Sequence, residues 1–304
     1  MPKLWKEKER FRGDLEDCLT AIITTRGCSW RKCYMCSYWS ESRALSDEFL
    51  KSQLDEVLDK LGEIRILKVF TSGSFLDERE MPAELRAYFL DRCRELGVEK
   101  LIIESRPEFI DSKKLKDFKG LQVEVGIGLE TANDFIREHC INKGFSFSDF
   151  ARAAEILKRE GLRVKCYLLL KPPFLSEREA INDLLESTEK VRNLADVISI
   201  NLTNIQKGTL VEKLWERGLY RPPWLWSALE VLRNVSGEII CDPVAGGKIR
   251  GPHNCGRCDR EIVSAIRLFS VTQDTSLLDV DCSCRKIWLK ALELEDRSRV
   301  PLFS

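Results

Sequence analysis

"RGCSWRKCYMCSYW" (residues 26–39) places Cys28, Cys33 and Cys36 in one short segment among aromatic and basic side chains. It directly follows the apolar, β-branched run "CLTAIIT" (18–24), so the cysteines belong to the loop after a strand. Three thiolates are one too few to close a tetrahedral structural metal site. Either a fourth ligand comes from elsewhere, or an open coordination position is the working part. A [4Fe–4S] cluster held by only three cysteines keeps one iron open. A zinc knuckle on Cys33 and Cys36 with a distant partner is the competing possibility.

Working outward, five more strand candidates follow: "ILKVFTSG" (66–73), "KLIIES" (100–105), "LQVEVGI" (121–127), "VKCYLLL" (164–170) and "DVISINL" (196–202). Amphipathic helical stretches separate them at 46–62, 82–97, 146–161 and 176–194. Ser46 and Ser176 precede acidic first turns, as N-caps do, and Gly62, Gly97 and Gly161 stand at helix ends. Six strands alternating with helices predict an α/β fold with a parallel sheet. No GxGxxG follows the first strand, which argues against a dinucleotide-binding sheet. The count fits a partial (β/α)6 TIM-like barrel, in which chemistry collects in the loops after the strands. "TSGSFLDE", "ESRPE", "GIGLET", "KPPF" and "NLTNIQKG" all follow strand ends, as the cysteine loop does, and that placement favours the cluster over the knuckle. The expected division is an N-terminal segment (1–17), the barrel (18–235) and a Cys-rich metal-binding C-terminal extension (236–304).

Lys+Arg and Asp+Glu both number 49, so no global basic field marks a nucleic-acid partner, and any polyanion site is local. Arg26, Arg31 and Lys32, with Trp30, Tyr34, Tyr38 and Trp39, are candidates for phosphate and base faces, or equally for packing the cluster. The charged start "MPKLWKEKERFRG" is not a signal peptide, and no apolar run reaches bilayer length. The expectation is a cytoplasmic protein, where clustered cysteines bind metal rather than form disulfides. Cys18, Cys93, Cys140 and Cys166 lie in apolar or helical runs and read as small hydrophobes. The second group begins with "HNCGRC" (253–258) and ends with "CSC" (282–284). Cys255, Cys258, Cys282 and Cys284 make a four-cysteine site, with zinc the expected ion and His253 or Cys241 as rival ligands. A second iron–sulfur cluster is the alternative.

Cx4Cx2C after the first strand of six β/α units resembles the radical S-adenosylmethionine (SAM) superfamily. The resemblance implies a barrel of the radical SAM type and a [4Fe–4S] cluster whose open iron is chelated by SAM. Reductive cleavage of SAM then yields a 5′-deoxyadenosyl radical that abstracts a substrate hydrogen. The commonest spacing in that superfamily is Cx3Cx2C, so one extra residue departs from it here. The residue before the last cysteine, typically aromatic and beside adenine, is Met35. Ser72, Gly73 and Ser74 resemble the turn whose backbone holds the SAM amino group. Glu104, Arg106 and Glu130 are implied partners of the ribose hydroxyls and the SAM carboxylate, and Lys165 or Lys171 is placed to reach the pocket. Each of these could equally be a member of a surface ion pair.

More narrowly, "TTRGCSWRKCYMCSYWSES", "CDPVAGGKIRGPHNCGRCD" and "DCSC" resemble the archaeal radical SAM enzymes of archaeosine formation. "ESRPE" and "YLLLKPP" are similar to the elongator-type branch. This implies a C–N lyase acting on a tRNA whose D-loop carries a deazaguanine already joined to lysine. It also implies a partner lysine transferase, archaeosine synthase, and a reductant protein. The alternatives are a radical SAM enzyme on another tRNA base or small molecule, and a non-catalytic zinc-binding nucleic-acid or adaptor module.

Overall fold

Eight strands lie in one sheet in chain order in the computed structural model, which describes residues 1–298. Residues 299–304, the end of the expected extension, lie outside the described residues. The chain forms two compact units, Met1–Arg31 with Tyr38–Gly128 and Ser148–Lys165, and Lys32–Ser37 with Leu129–Phe147 and Cys166–Ser304.

The first unit opens on an antiparallel hairpin of β1 (Lys3–Phe11) and β2 (Asp14–Ile22), turning at Arg12 and Gly13. The expected N-terminal segment is therefore a strand and the first half of another. Helix α1 (Asp47–Asp59) is capped by Ser46, whose side chain accepts from the Phe49 N–H. Then come β3 (Ile66–Phe70), α2 (Ala83–Glu95), β4 (Lys100–Glu104) and the short α3 (Ser112–Leu115). They are followed by β5 (Gln122–Glu130) and α4 (Phe147–Arg159). β2 to β5 pair in parallel, each with its chain neighbour. Helical periodicity buries Leu50, Leu54, Val57 and Leu58 of α1, and Phe89, Leu90 and Cys93 of α2.

A cluster of buried and half-buried charges crosses the strands of this unit. Lys68 pairs with Glu7 and Glu9, both at 2.7 Å, and Lys100 with Glu9 at 2.9 Å. Lys165 meets the fully buried Glu124 at 2.6 Å, and Lys100 lies 3.5 Å from the same carboxylate. Burial alone would raise the Glu9 carboxyl, but Lys165, Lys68 and Lys100 together hold it down at about 2.

The second unit takes most of β6 (Arg163–Leu170), then α5 (Glu177–Val191) and β7 (Val197–Leu202). Ser176 and Glu179 form a reciprocal capping box at the start of α5. Next are α6 (Leu210–Glu216), α7 (Leu225–Asn234) and a short β8 (Ile239–Asp242), parallel to β7. Helices α8 (Asp259–Thr272) and α9 (Arg285–Ser298) complete it. Among the described residues no helix is long and apolar enough to cross a membrane.

Candidate functional site

The cysteine loop begins where β2 ends, and its first half is held by buried polar groups. Gln53 on α1 donates to the Thr24 carbonyl and accepts from the Thr24 N–H, each at 2.9 Å. The Thr25 hydroxyl accepts from the Gly27 N–H at 3.1 Å and donates to Glu80 at 2.6 Å. Arg31, at φ +53°, folds back so that its Nε donates to the Cys28 carbonyl at 2.8 Å. Cys28 is thus presented, half-buried, on a loop whose backbone groups are largely spoken for.

The turn after β3 comes into contact with that loop. A side chain at Gly73 would place its Cβ 2.1 Å from Glu80 Oε1 and 2.5 Å from the Cys28 Cα, so only glycine fits. The Ser74 N–H donates to Glu80 Oε1 at 2.6 Å, and the Ser74 hydroxyl accepts from the Arg106 N–H at 3.0 Å. The Phe75 N–H donates to the Glu104 carbonyl at 2.8 Å. The strand-end segments after β2, β3 and β4 are therefore stitched together in the first unit. The Arg106 guanidinium pairs with Glu108 at 2.6 Å and lies 5.5 Å from the centre of the Trp30 ring. Burial pushes the Glu80 carboxyl above its ordinary range, although Thr25 and Ser74 draw it back.

The second half of the loop, Lys32 to Ser37, is fastened within the second unit. The Tyr34 N–H donates to the Ile141 carbonyl at 2.9 Å, and Asn142 reaches the Lys32 carbonyl at 3.1 Å. The Ser37 N–H donates to the Gln206 side chain at 2.7 Å, and the Val211 N–H to the Tyr34 carbonyl at 3.3 Å. Met35 is buried here. Glu130 ends β5 at φ +70° and pairs with Lys143 at 2.6 Å.

Of the residues expected around SAM, Ser72, Gly73, Ser74, Glu104 and Arg106 lie at or just beyond the ends of β3 and β4, and Glu130 closes β5. Lys165 is the exception. It is the third residue of β6, at the strand start, and its ammonium is engaged with buried Glu124. Lys171 follows β6, where it pairs with Glu177 at 2.6 Å. Glu80 and Thr25 went unread in the sequence: Glu80 stands in the charged stretch "DERE" and resembles a surface acid, yet it is buried and 55 residues from its partner.

The C-terminal cysteines form a compact centre. Sγ atoms of Cys255, Cys258, Cys282 and Cys284 all lie within 4.8 Å of one another, the only such group of Cys, His, Asp or Glu among the described residues. Separations are 3.8 Å for Cys255–Cys258, 3.9 Å for Cys255–Cys282 and 3.6 Å for Cys258–Cys284. With zinc–sulfur bonds near 2.3 Å, a tetrahedron has sulfur–sulfur edges of about 3.8 Å, so the donor set suits one such ion. Gly256, at φ +87°, makes the knuckle, and buried Asp259 accepts from the N–H groups of Asn254 and Gly256. Side-chain N–H groups face two of the sulfurs, Asn254 to Cys258 at 3.5 Å and Trp226 to Cys284 at 3.3 Å. Neither rival ligand joins the four. His253 turns Nδ1 to the Gly251 carbonyl at 2.7 Å, and Cys241 is enclosed in β8, where burial drives its thiol far above the ordinary range.

A sequence profile described as the radical SAM superfamily matches residues 22–187. The chain is also 43% identical over 312 residues to archaeosine synthase subunit beta of Methanosarcina acetivorans, covering 96% of this chain and 90% of that protein. This chain is a radical SAM protein of the archaeosine synthase subunit beta family. The protein of the same description from Thermococcus kodakarensis is 42% identical over 308 residues, covering 93% and 94% respectively. A crystal structure of methylornithine synthase matches at a TM-score of 0.53 and 14% identity, over 90% of this chain and 85% of the other, a likeness of fold. The α/β architecture of this radical SAM protein is the superfamily's partial barrel, extended by the four-cysteine centre. Gly73 packs closely against Cys28, and membership of the radical SAM superfamily implies a [4Fe–4S] cluster and SAM.

Proposed function

We propose that this radical SAM protein cleaves a C–N bond in a lysine-modified deazaguanine of the tRNA D-loop, leaving the formamidine group of archaeosine. The observation that carries the proposal is identity of 42–43% to archaeosine synthase subunit beta over nearly the whole chain, spanning the cysteine loop and the C-terminal cysteines alike. When bound, SAM would supply the 5′-deoxyadenosyl radical for abstraction of a hydrogen from the carbon bearing the lysine side-chain nitrogen. That carbon would then give up one electron to the oxidised cluster and add water, so that the C–N bond breaks with the lysine carbon leaving as an aldehyde and the nitrogen staying on the base as formamidine.

The chain's own residues divide the remaining work. Cys28, Cys33 and Cys36 hold the cluster and leave one iron open. The turn at Ser72, Gly73 and Ser74 presents backbone to the SAM amino group, with Met35 beside the adenine. Glu104, Arg106 and Glu130 offer charged or polar groups to the ribose hydroxyls and the SAM carboxylate. Cys255, Cys258, Cys282 and Cys284 bind zinc as a structural staple.

The description "subunit beta" of the relatives supports a partner subunit, the lysine transferase that makes the substrate. A chain with equal numbers of acidic and basic residues has little long-range attraction for tRNA, so the partner supplies much of that affinity. A reductant protein delivers the electron. The test is anaerobic incubation of the reconstituted protein with lysine-modified tRNA, SAM and dithionite, followed by nucleoside mass spectrometry. Archaeosine forms on the proposal; unchanged lysine-modified nucleoside, with and without the partner, refutes it.

A further inference from the structure

The buried carboxylate of Glu80 has no role in the reactions so far assigned, and it joins the two segments on which the cofactor depends. Its Oε2 accepts from the Thr25 hydroxyl at 2.6 Å, and Thr25 in turn accepts from the Gly27 N–H, one residue before Cys28. Its Oε1 accepts from the Ser74 N–H at 2.6 Å, one residue after Gly73. Glu80, Thr25 and Ser74 are each only 1% exposed. The same Oε1 occupies the space that a side chain at position 73 would need, so the turn rests directly on the carboxylate. One carboxylate thus fixes the distance between the loop presenting Cys28 and the turn after β3. Glycine at 73 is the counterpart of that contact.

We infer that Glu80 is a positioning residue for SAM, acting through Thr25 and Ser74 to hold the Cys28 loop and the Gly73 turn at the separation the ligand needs. The inference rests on the cofactor half of the proposed function and is independent of the tRNA substrate. A carboxylate suits the task because its oxygens accept, and the Thr25 hydroxyl and the Ser74 N–H both donate to it. Removing it leaves two buried donors without an acceptor, so the two segments relax apart.

The experiment uses the full chain, reconstituted anaerobically with iron and sulfide. It measures iron per chain, SAM affinity by equilibrium dialysis, and the change in the electron paramagnetic resonance of the reduced cluster when SAM is added. Glu80→Ala keeps its iron, binds SAM about tenfold or more weakly and loses the SAM-induced spectral change, as two unsatisfied buried donors imply. Glu80→Gln, which keeps one acceptor, stays within about threefold of wild type. If Glu80→Ala does not fold, Thr25→Val and Thr25→Ser decide. Valine weakens SAM binding at full iron content, and serine, which retains the hydroxyl, restores it. Wild-type SAM affinity and spectra in Glu80→Ala or Thr25→Val would overturn the inference, as would iron loss with unchanged SAM affinity per remaining cluster. A wild-type protein that takes up iron but binds no SAM would overturn this inference together with the cofactor assignment.

Discussion

Cys28, Cys33 and Cys36 are irreplaceable on this account because each supplies a thiolate that no neighbour can substitute. Cys28→Ala in the anaerobically reconstituted protein should abolish SAM cleavage and strongly reduce the cluster absorption near ~400 nm, with chain folding retained by circular dichroism. Gly73 is constrained as tightly by packing as the cysteines are by chemistry. Gly73→Ala puts a carbon 2.1 Å from Glu80 Oε1 and 2.5 Å from the Cys28 Cα, and neither can yield without disturbing the loop. SAM affinity, read by equilibrium dialysis, should fall about tenfold or more, since the overlap sits between two buried elements. The cysteine spacing and the Gly73 turn could be singled out in the sequence because both are local patterns that follow strands. Glu80 and Thr25 were not, because their meaning lies in a contact across 55 residues that no local pattern records.

At the scale of elements, five of the six expected strands were found within three residues of their read boundaries, and Ser46 and Ser176 cap the helices they precede. The first strand begins four residues earlier than read, at Asp14. β1 was not legible, for a physical reason. "KLWKEKERF" lacks apolar alternation because Glu7 and Glu9 point toward Lys68 and Lys100, so the strand buries charge rather than hydrocarbon. β8 hid in a short Gly- and Pro-rich stretch. That buried charge cluster also reassigns Lys165. Lys165→Met should cost about 3 kcal/mol in thermal denaturation, by leaving Glu124 under-compensated, and should leave SAM affinity unchanged. The pH dependence follows from Glu9. Its carboxyl lies at about 2 in the fold against an ordinary 4.5, so its contribution is complete above pH 4.5 and is lost as pH falls toward 2. Acid unfolding monitored by circular dichroism should shift to higher pH in Glu9→Gln. The four-cysteine centre makes a separate prediction. On the proposed zinc assignment, a chelator should remove about one zinc per chain and lower the melting temperature, because metal bound there would add to the folding free energy.

For the whole molecule, the family relationship and the geometry meet at a single chemical claim. The α/β class came from periodicity and spacing, whereas the proposed substrate rests on similarity to archaeosine synthase subunit beta over 93–96% of the chain. Composition adds that a balanced charge gives this chain no global field to draw tRNA, so any attraction it supplies is local. The most direct test of the central claim follows the abstracted hydrogen atom. Lysine bearing deuterium on the carbon next to its side-chain nitrogen is installed on tRNA, and the 5′-deoxyadenosine formed with this protein, SAM and reductant is analysed by mass spectrometry. The account predicts deuterium in 5′-deoxyadenosine in step with archaeosine formation. Archaeosine accompanied by unlabelled 5′-deoxyadenosine would contradict it.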